Sequence, residues 1–86
     1  MEKRRLLERI RSGPRTVRPE ELCRLLEQFG YERKRKPARG SHIYRYSKPG
    51  HRMITFPDPH PGKEVNVHYV RRIIKILELE MPEHEG

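Results

Sequence analysis

Apolar residues recur at helical spacing in three stretches of the chain, which therefore predict three helices. The first, residues 2–11, is short and amphipathic, so it must pack against the rest of the protein or fray. The second runs from Pro19 to Gly30, and the third from an N-cap at Asn66 towards Pro82. The apolar positions of the three stripes are Leu6, Leu7 and Ile10; Leu22, Leu25, Leu26 and Phe29; and Val67, Val70, Ile74 and Leu77.

The middle of the chain changes to a period of two and predicts three strands, at residues 31–36, 41–46 and 52–57. The first is mostly charged, so we place it at a sheet edge, whereas Ile54 and Phe56 of the third alternate towards a core. A further strand at residues 65–69 remains an alternative to the start of the last helix. The order of elements predicts an α+β fold, with helices on one face of a three-stranded antiparallel sheet.

Composition adds a strong positive charge to this small domain. The 86 residues include 20 Lys and Arg against 12 Asp and Glu, a net charge of +8. Such a charge favours an anionic partner, with nucleic acid as the first candidate and an acidic protein as the second. No apolar run reaches the roughly 18 residues of a membrane helix. No signal-peptide pattern is visible, and the single Cys23 suits a reducing compartment, so we expect a cytoplasmic protein.

The densest basic run lies in the first predicted strand and the loop after it. It consists of Arg33, Lys34, Arg35, Lys36 and Arg39. A solvated edge that prevents strand-to-strand aggregation is one interpretation of this run. Because the charge has one sign, we favour a surface that contacts a phosphate backbone, to which Arg45 and Lys63 would add cations. Three tyrosines are weaker candidates for stacking on unpaired bases: Tyr44, Tyr46 and Tyr69.

Gly40-Ser41-His42 stands at the entrance to the second predicted strand. A glycine there lets a phosphodiester approach the backbone closely, so Gly40 and Ser41 join the candidate RNA-binding residues. Imidazole titrates near neutrality, which allows His42 to take or give a proton during phosphodiester cleavage. A strand histidine without chemistry is the plainer alternative. No histidine or cysteine pair has the spacing of a zinc site, so neither a metal nor another cofactor is expected.

Four segments carry a resemblance to a known family: residues 22–31 (LCRLLEQFGY), 40–42 (GSH), 54–57 (ITFP) and 70–75 (VRRIIK). In their order and rough spacing they are similar to the HicA family of toxin–antitoxin ribonucleases. The resemblance implies a double-stranded-RNA-binding-domain-like fold, α-β-β-β-α, with the first helix as an addition. We expect an N-terminal helical extension at 1–15, a HicA-like domain at 16–82 and a flexible tail at 83–86.

The resemblance also implies a function. It predicts metal-independent cleavage of mRNA, with the motif histidine, His42, as the catalytic residue. It implies a HicB-like antitoxin that blocks the toxin. Apart from the resemblance, His60, in a rigid loop between two prolines, is a candidate second proton carrier. Two alternatives remain open: a non-catalytic RNA-binding module on the same fold, and an adaptor whose charge serves only an acidic protein partner.

Overall fold

The computed structural model describes residues 2–34, 43–59 and 63–80. Its elements, in chain order, are α1 (Glu2–Ser12), a short 3₁₀ turn (Pro14–Thr16), α2 (Pro19–Gln28), β1 (Glu32–Arg33), β2 (Ile43–Ser47), β3 (Ile54–Pro57) and α3 (Val67–Glu78). The strands form one antiparallel sheet in the order β1-β2-β3. The predicted α+β class and element order are therefore confirmed, and residues 67–69 belong to a helix rather than a strand.

The helices pack on one face of the sheet because the apolar positions of both layers meet there. From the sheet, Tyr46, Ile54 and Phe56 are buried in this core. Helix α1 docks on it through Leu7 and Ile10, which are 4% and 0% exposed, as a short amphipathic helix must. The buried residues of α2 and α3 are Leu22, Leu25, Leu26, Val70, Ile73, Ile74 and Leu77.

Strands β1 and β3 begin later than the sequence predicts, and the predicted start of β2 at residues 41 and 42 lies outside the described residues. Tyr31 is not in β1: its backbone N–H donates to the carbonyl oxygen of Leu26 at 3.0 Å, so it completes the end of α2. Gly30 makes that reversal possible with φ +93°, a left-handed conformation that other residues avoid. Strand β3 begins at Ile54, so residues 52 and 53 precede it.

The ends of α3 show one correct and one incorrect prediction. Asn66 is the N-cap, because its side-chain oxygen accepts a hydrogen bond of 2.8 Å from the backbone N–H of His68. The helix ends at Glu78 rather than near Pro82. The N–H of Glu80 bonds to the carbonyl of Leu77, three residues back, so the last turn is tightened before Pro82 is reached.

Candidate nucleic-acid interface

The sheet face that points away from the helices carries two basic side chains next to each other. The N–H of Lys34 donates to the carbonyl of Arg45 at 2.7 Å, which sets these residues opposite one another on adjacent strands. Their neighbours in sequence, Arg33 and Tyr46, are paired in the sheet, and Tyr46 points into the core, so Lys34 and Arg45 point outwards. Neither forms an ion pair with any residue in the described ranges. We call Lys34 and Arg45 the outer basic pair.

Arg33 lies on the opposite face of the sheet from the outer basic pair. Its guanidinium carbon is 4.6 Å from the centre of the Tyr44 ring, and that ring stacks on Phe56 with centroids 4.9 Å apart. Burial, aided by the charge of Asp58, raises the pKa of the Tyr44 phenol. The contiguous basic run of the sequence is therefore divided between two faces, because successive strand side chains alternate.

Most of the other predicted site residues lie outside the described residues. This group comprises Arg35, Lys36, Arg39, Gly40, Ser41, His42 and His60. The described chain resumes at Ile43, the first residue of β2, which is 40% exposed and pairs with Pro57. Lys63 is exposed in the segment before α3, two residues ahead of buried Val65. No described contact joins Lys63 to the outer basic pair.

The prediction that the tyrosines offer faces for base stacking is wrong for Tyr46. Its side chain is 1% exposed and belongs to the core. Burial, together with a hydrogen bond to Cys23, raises the pKa of its phenol. Burial likewise raises the pKa of the Cys23 thiol, so this partly buried cysteine is not activated as a nucleophile.

A cluster of ionisable side chains that the sequence does not reveal joins the end of α2, the β2–β3 turn and the end of α3. We call Tyr31, Lys48, His51 and Glu80 the Glu80 cluster. One Glu80 carboxylate oxygen accepts from Lys48 Nζ at 2.7 Å, and the other accepts from the Tyr31 hydroxyl. Lys48 Nζ also donates to the carbonyl of Phe29 at 2.8 Å.

Contacts within the Glu80 cluster shift the pKa values of Glu80 and Tyr31. Burial alone would raise the pKa of Glu80, but hydrogen bonds from Lys48 and Tyr31 outweigh it, so the pKa of Glu80 is lowered. Burial and the Glu80 carboxylate raise the pKa of Tyr31. His51 is an exposed member at the edge of the cluster, with its Nδ1 3.5 Å from a Glu80 oxygen. Residues 31, 48, 51 and 80 meet only in the tertiary fold, so no local sequence pattern predicts this cluster.

Comparison with known proteins identifies the family. A family model described as the HicA toxin of bacterial toxin–antitoxin matches residues 19–79, more than half of the chain. The chain belongs to the HicA toxin family. The HicA match begins at the first residue of α2 and ends just after α3, so α1 precedes it. No curated protein matches the chain significantly, and no solved structure does either.

Two further properties bear on the site. In the described parts of the chain, no three His, Cys, Asp or Glu side chains are grouped to hold a metal ion. Among those same residues, no helix is both long and apolar enough to cross a membrane. Membership of a toxin–antitoxin family implies, in general terms, an antitoxin partner and an RNA substrate for this toxin.

Proposed function

We propose that this HicA toxin is an endoribonuclease that cleaves mRNA in the cytoplasm and is neutralised by a HicB-like antitoxin. The family match over residues 19–79 is the observation that carries the proposal. The outer basic pair supports it, because two adjacent cations without carboxylate partners in the described residues suit a polyanion. The net charge of +8 also attracts a polyanion such as RNA at long range.

In this proposal, Lys34 and Arg45 contact backbone phosphates and hold the RNA across the outer face of the sheet. Phosphate contacts position a nucleic acid without reading its sequence. Strand β2 carries Arg45, and its first residue, Ile43, directly follows His42 in the chain. Arg45 and the proposed catalytic residue are thus three residues apart in the chain. Arg35, Lys36, Arg39, Gly40, Ser41 and Lys63 complete the proposed RNA-binding set, and Arg33, which lies on the other sheet face against Tyr44, is left out of it.

We assign the proton transfer to His42. Acting as a general base, His42 takes the proton of a ribose 2′-OH, and the 2′-oxygen forms a bond to the adjacent phosphorus. The bond from phosphorus to the 5′-oxygen breaks, and that oxygen receives a proton from a general acid. The products are a 2′,3′-cyclic phosphate and a 5′-hydroxyl end. Cationic charge from Arg39, Arg45 or Lys63 stabilises the extra negative charge of the transition state.

Incubation of the purified protein with end-labelled RNA tests this function. We expect the RNA to be shortened in the presence of EDTA, because the proposed chemistry needs only the 2′-OH, a base and cations. DNA of the same sequence should remain intact, since it lacks the 2′-OH. A gel shift without shortening would instead establish a non-catalytic RNA-binding module, and neither effect would favour an adaptor for an acidic protein. Loss of cleavage on adding EDTA would reject the metal-independent route.

A further inference from the structure

A cleft of about 620 Å³ lies between β3 and the C-terminal half of α3. Strand β3 pairs only with β2 in the described sheet, so no described strand lies next to the opposite edge of β3. The cleft contains two conspicuously exposed apolar side chains, Met53 at 52% and Leu79 at 84%. Ile73 and Ile76 of α3 continue this apolar lining. We call this region the β3–α3 cleft.

Three cations line the β3–α3 cleft alongside its apolar residues. They are Arg52, Arg72 and Lys75, and all three are exposed. None of them forms an ion pair with a described residue. The cleft also contains the carboxylate of Glu80, but that group is already bound by Lys48 and Tyr31. An occupant of the cleft must therefore supply its own negative charge together with apolar side chains.

These features discriminate among occupants. A nucleic acid would satisfy the cations, but it would leave exposed Met53 and Leu79 without apolar partners. A second copy of this chain is disfavoured because each copy carries a net charge of +8. A protein segment that combines acidic and apolar residues matches both parts of the lining.

We propose that the β3–α3 cleft is the docking site for an acidic, apolar segment of the antitoxin. The inference rests on the proposed function, in which an antitoxin neutralises this toxin. Apolar residues of the segment contact Met53 and Leu79, and its carboxylates pair with Arg52, Arg72 and Lys75. The edge of β3 that pairs with no described strand offers its backbone groups to the same segment.

The cleft is close enough to the outer basic pair for docking to inhibit the toxin. Thr55 lines the cleft, and its Cα partner across the sheet is Arg45 of β2. Adjacent strands are only about 4.8 Å apart. An antitoxin anchored in the cleft therefore reaches the outer basic pair by extending across one strand, and RNA is excluded from that face.

The test uses the full-length toxin and the purified product of the reading frame adjacent to its gene as the antitoxin probe. Leu79→Ser and the charge reversal Arg72→Glu should each weaken antitoxin binding at least tenfold in calorimetry. Both residues are exposed, so folding should be retained, which circular dichroism checks. Arg24→Glu, the same reversal on exposed α2, is the matched control and should bind within about twofold of the unchanged protein.

RNA cleavage without antitoxin separates this inference from the proposed function. Leu79→Ser and Arg72→Glu should cleave RNA at the rate of the unchanged toxin, while a toxin that never cleaves would reject the proposed function alone. Unaltered antitoxin affinity in both variants would overturn the docking site. Deleting residues 83–86, which include two glutamates, should not change the affinity. A tenfold gain on that deletion would assign the cleft to the toxin's own tail, and dimerisation abolished by Leu79→Ser would assign it to a second copy.

Discussion

Replacing Glu80 with Gln should destabilise the protein by about 1–2 kcal/mol at pH 7. The Glu80 side chain is only 15% exposed and accepts hydrogen bonds from Lys48 and Tyr31. Hydrogen bonds to charged groups are worth about 1.5–3 kcal/mol, and those between neutral groups about 0.5–1.5 kcal/mol. Gln keeps an acceptor oxygen but loses the charge. Glu80→Gln should therefore lose roughly the difference in energy between a charged and a neutral hydrogen bond. For a domain of this size, each 1 kcal/mol lowers Tm by about 4–8 °C.

The effect of Glu80→Gln should also depend on pH. Burial opposes ionisation of Glu80, but its hydrogen-bonded partners outweigh burial and lower its pKa in the folded state. The stabilisation is therefore complete above the unfolded pKa of about 4.3 and is lost as the pH falls through the lower folded pKa. Urea unfolding of both proteins from pH 7 down to pH 2.5 measures this. The difference in unfolding free energy should shrink towards zero at the acidic end.

Glu78→Gln is the matched control, two residues earlier on the same helix end. Glu78 bonds to Arg11 at 2.9 Å, but its side chain is 40% exposed. Exposed ion pairs are worth less than about 1 kcal/mol, so this variant should lose little stability. Equal losses for the two variants would refute the role assigned to the Glu80 cluster. So would a Glu80→Gln effect that stays constant down to the lowest pH.

Three further predictions follow from the fold and the proposed interface. Lys34→Gln and Arg45→Gln should each reduce the slope of log RNA affinity against log salt concentration by about one unit. Arg24→Gln on α2 should leave that slope unchanged. Unchanged slopes in the first two variants would remove the outer basic pair from the interface. Diethyl pyrocarbonate should modify His42 in the free toxin but not in the antitoxin complex, and equal labelling would contradict a covered site. Asn66→Ala should cost about 1 kcal/mol in urea unfolding through loss of the α3 N-cap, and an unchanged midpoint would contradict that capping role.

The helices were predictable because their signals are local. The stripe Leu22, Leu25, Leu26 and Phe29 identifies the buried side of α2 without any knowledge of its partner. Asn66 likewise caps α3 through its own sequence neighbours. The alternation of Ile54 and Phe56 predicted the buried face of β3 for the same reason, since side-chain period depends only on the strand itself.

What the sequence could not predict depends on contacts between distant residues. Which of Arg33 and Lys34 faces outwards follows from their register against Tyr46 and Arg45, and the sequence of β1 alone does not specify that register. The β3–α3 cleft exists only because β3 and α3 are brought side by side. The role of His42 remains a prediction, because that residue lies outside the described part of the chain.

Single-turnover cleavage of a labelled RNA by His42→Ala protein tests the central claim most directly. His68→Ala is the control, because His68 is an exposed histidine on α3 whose contribution to the N-cap is made by its backbone. A positioned acid–base group contributes about 10²–10⁴-fold, so His42→Ala should lose at least that hundredfold while RNA affinity stays within a few-fold. His68→Ala should cleave normally. Near-normal cleavage by pure His42→Ala protein would contradict the assignment of the chemistry to His42.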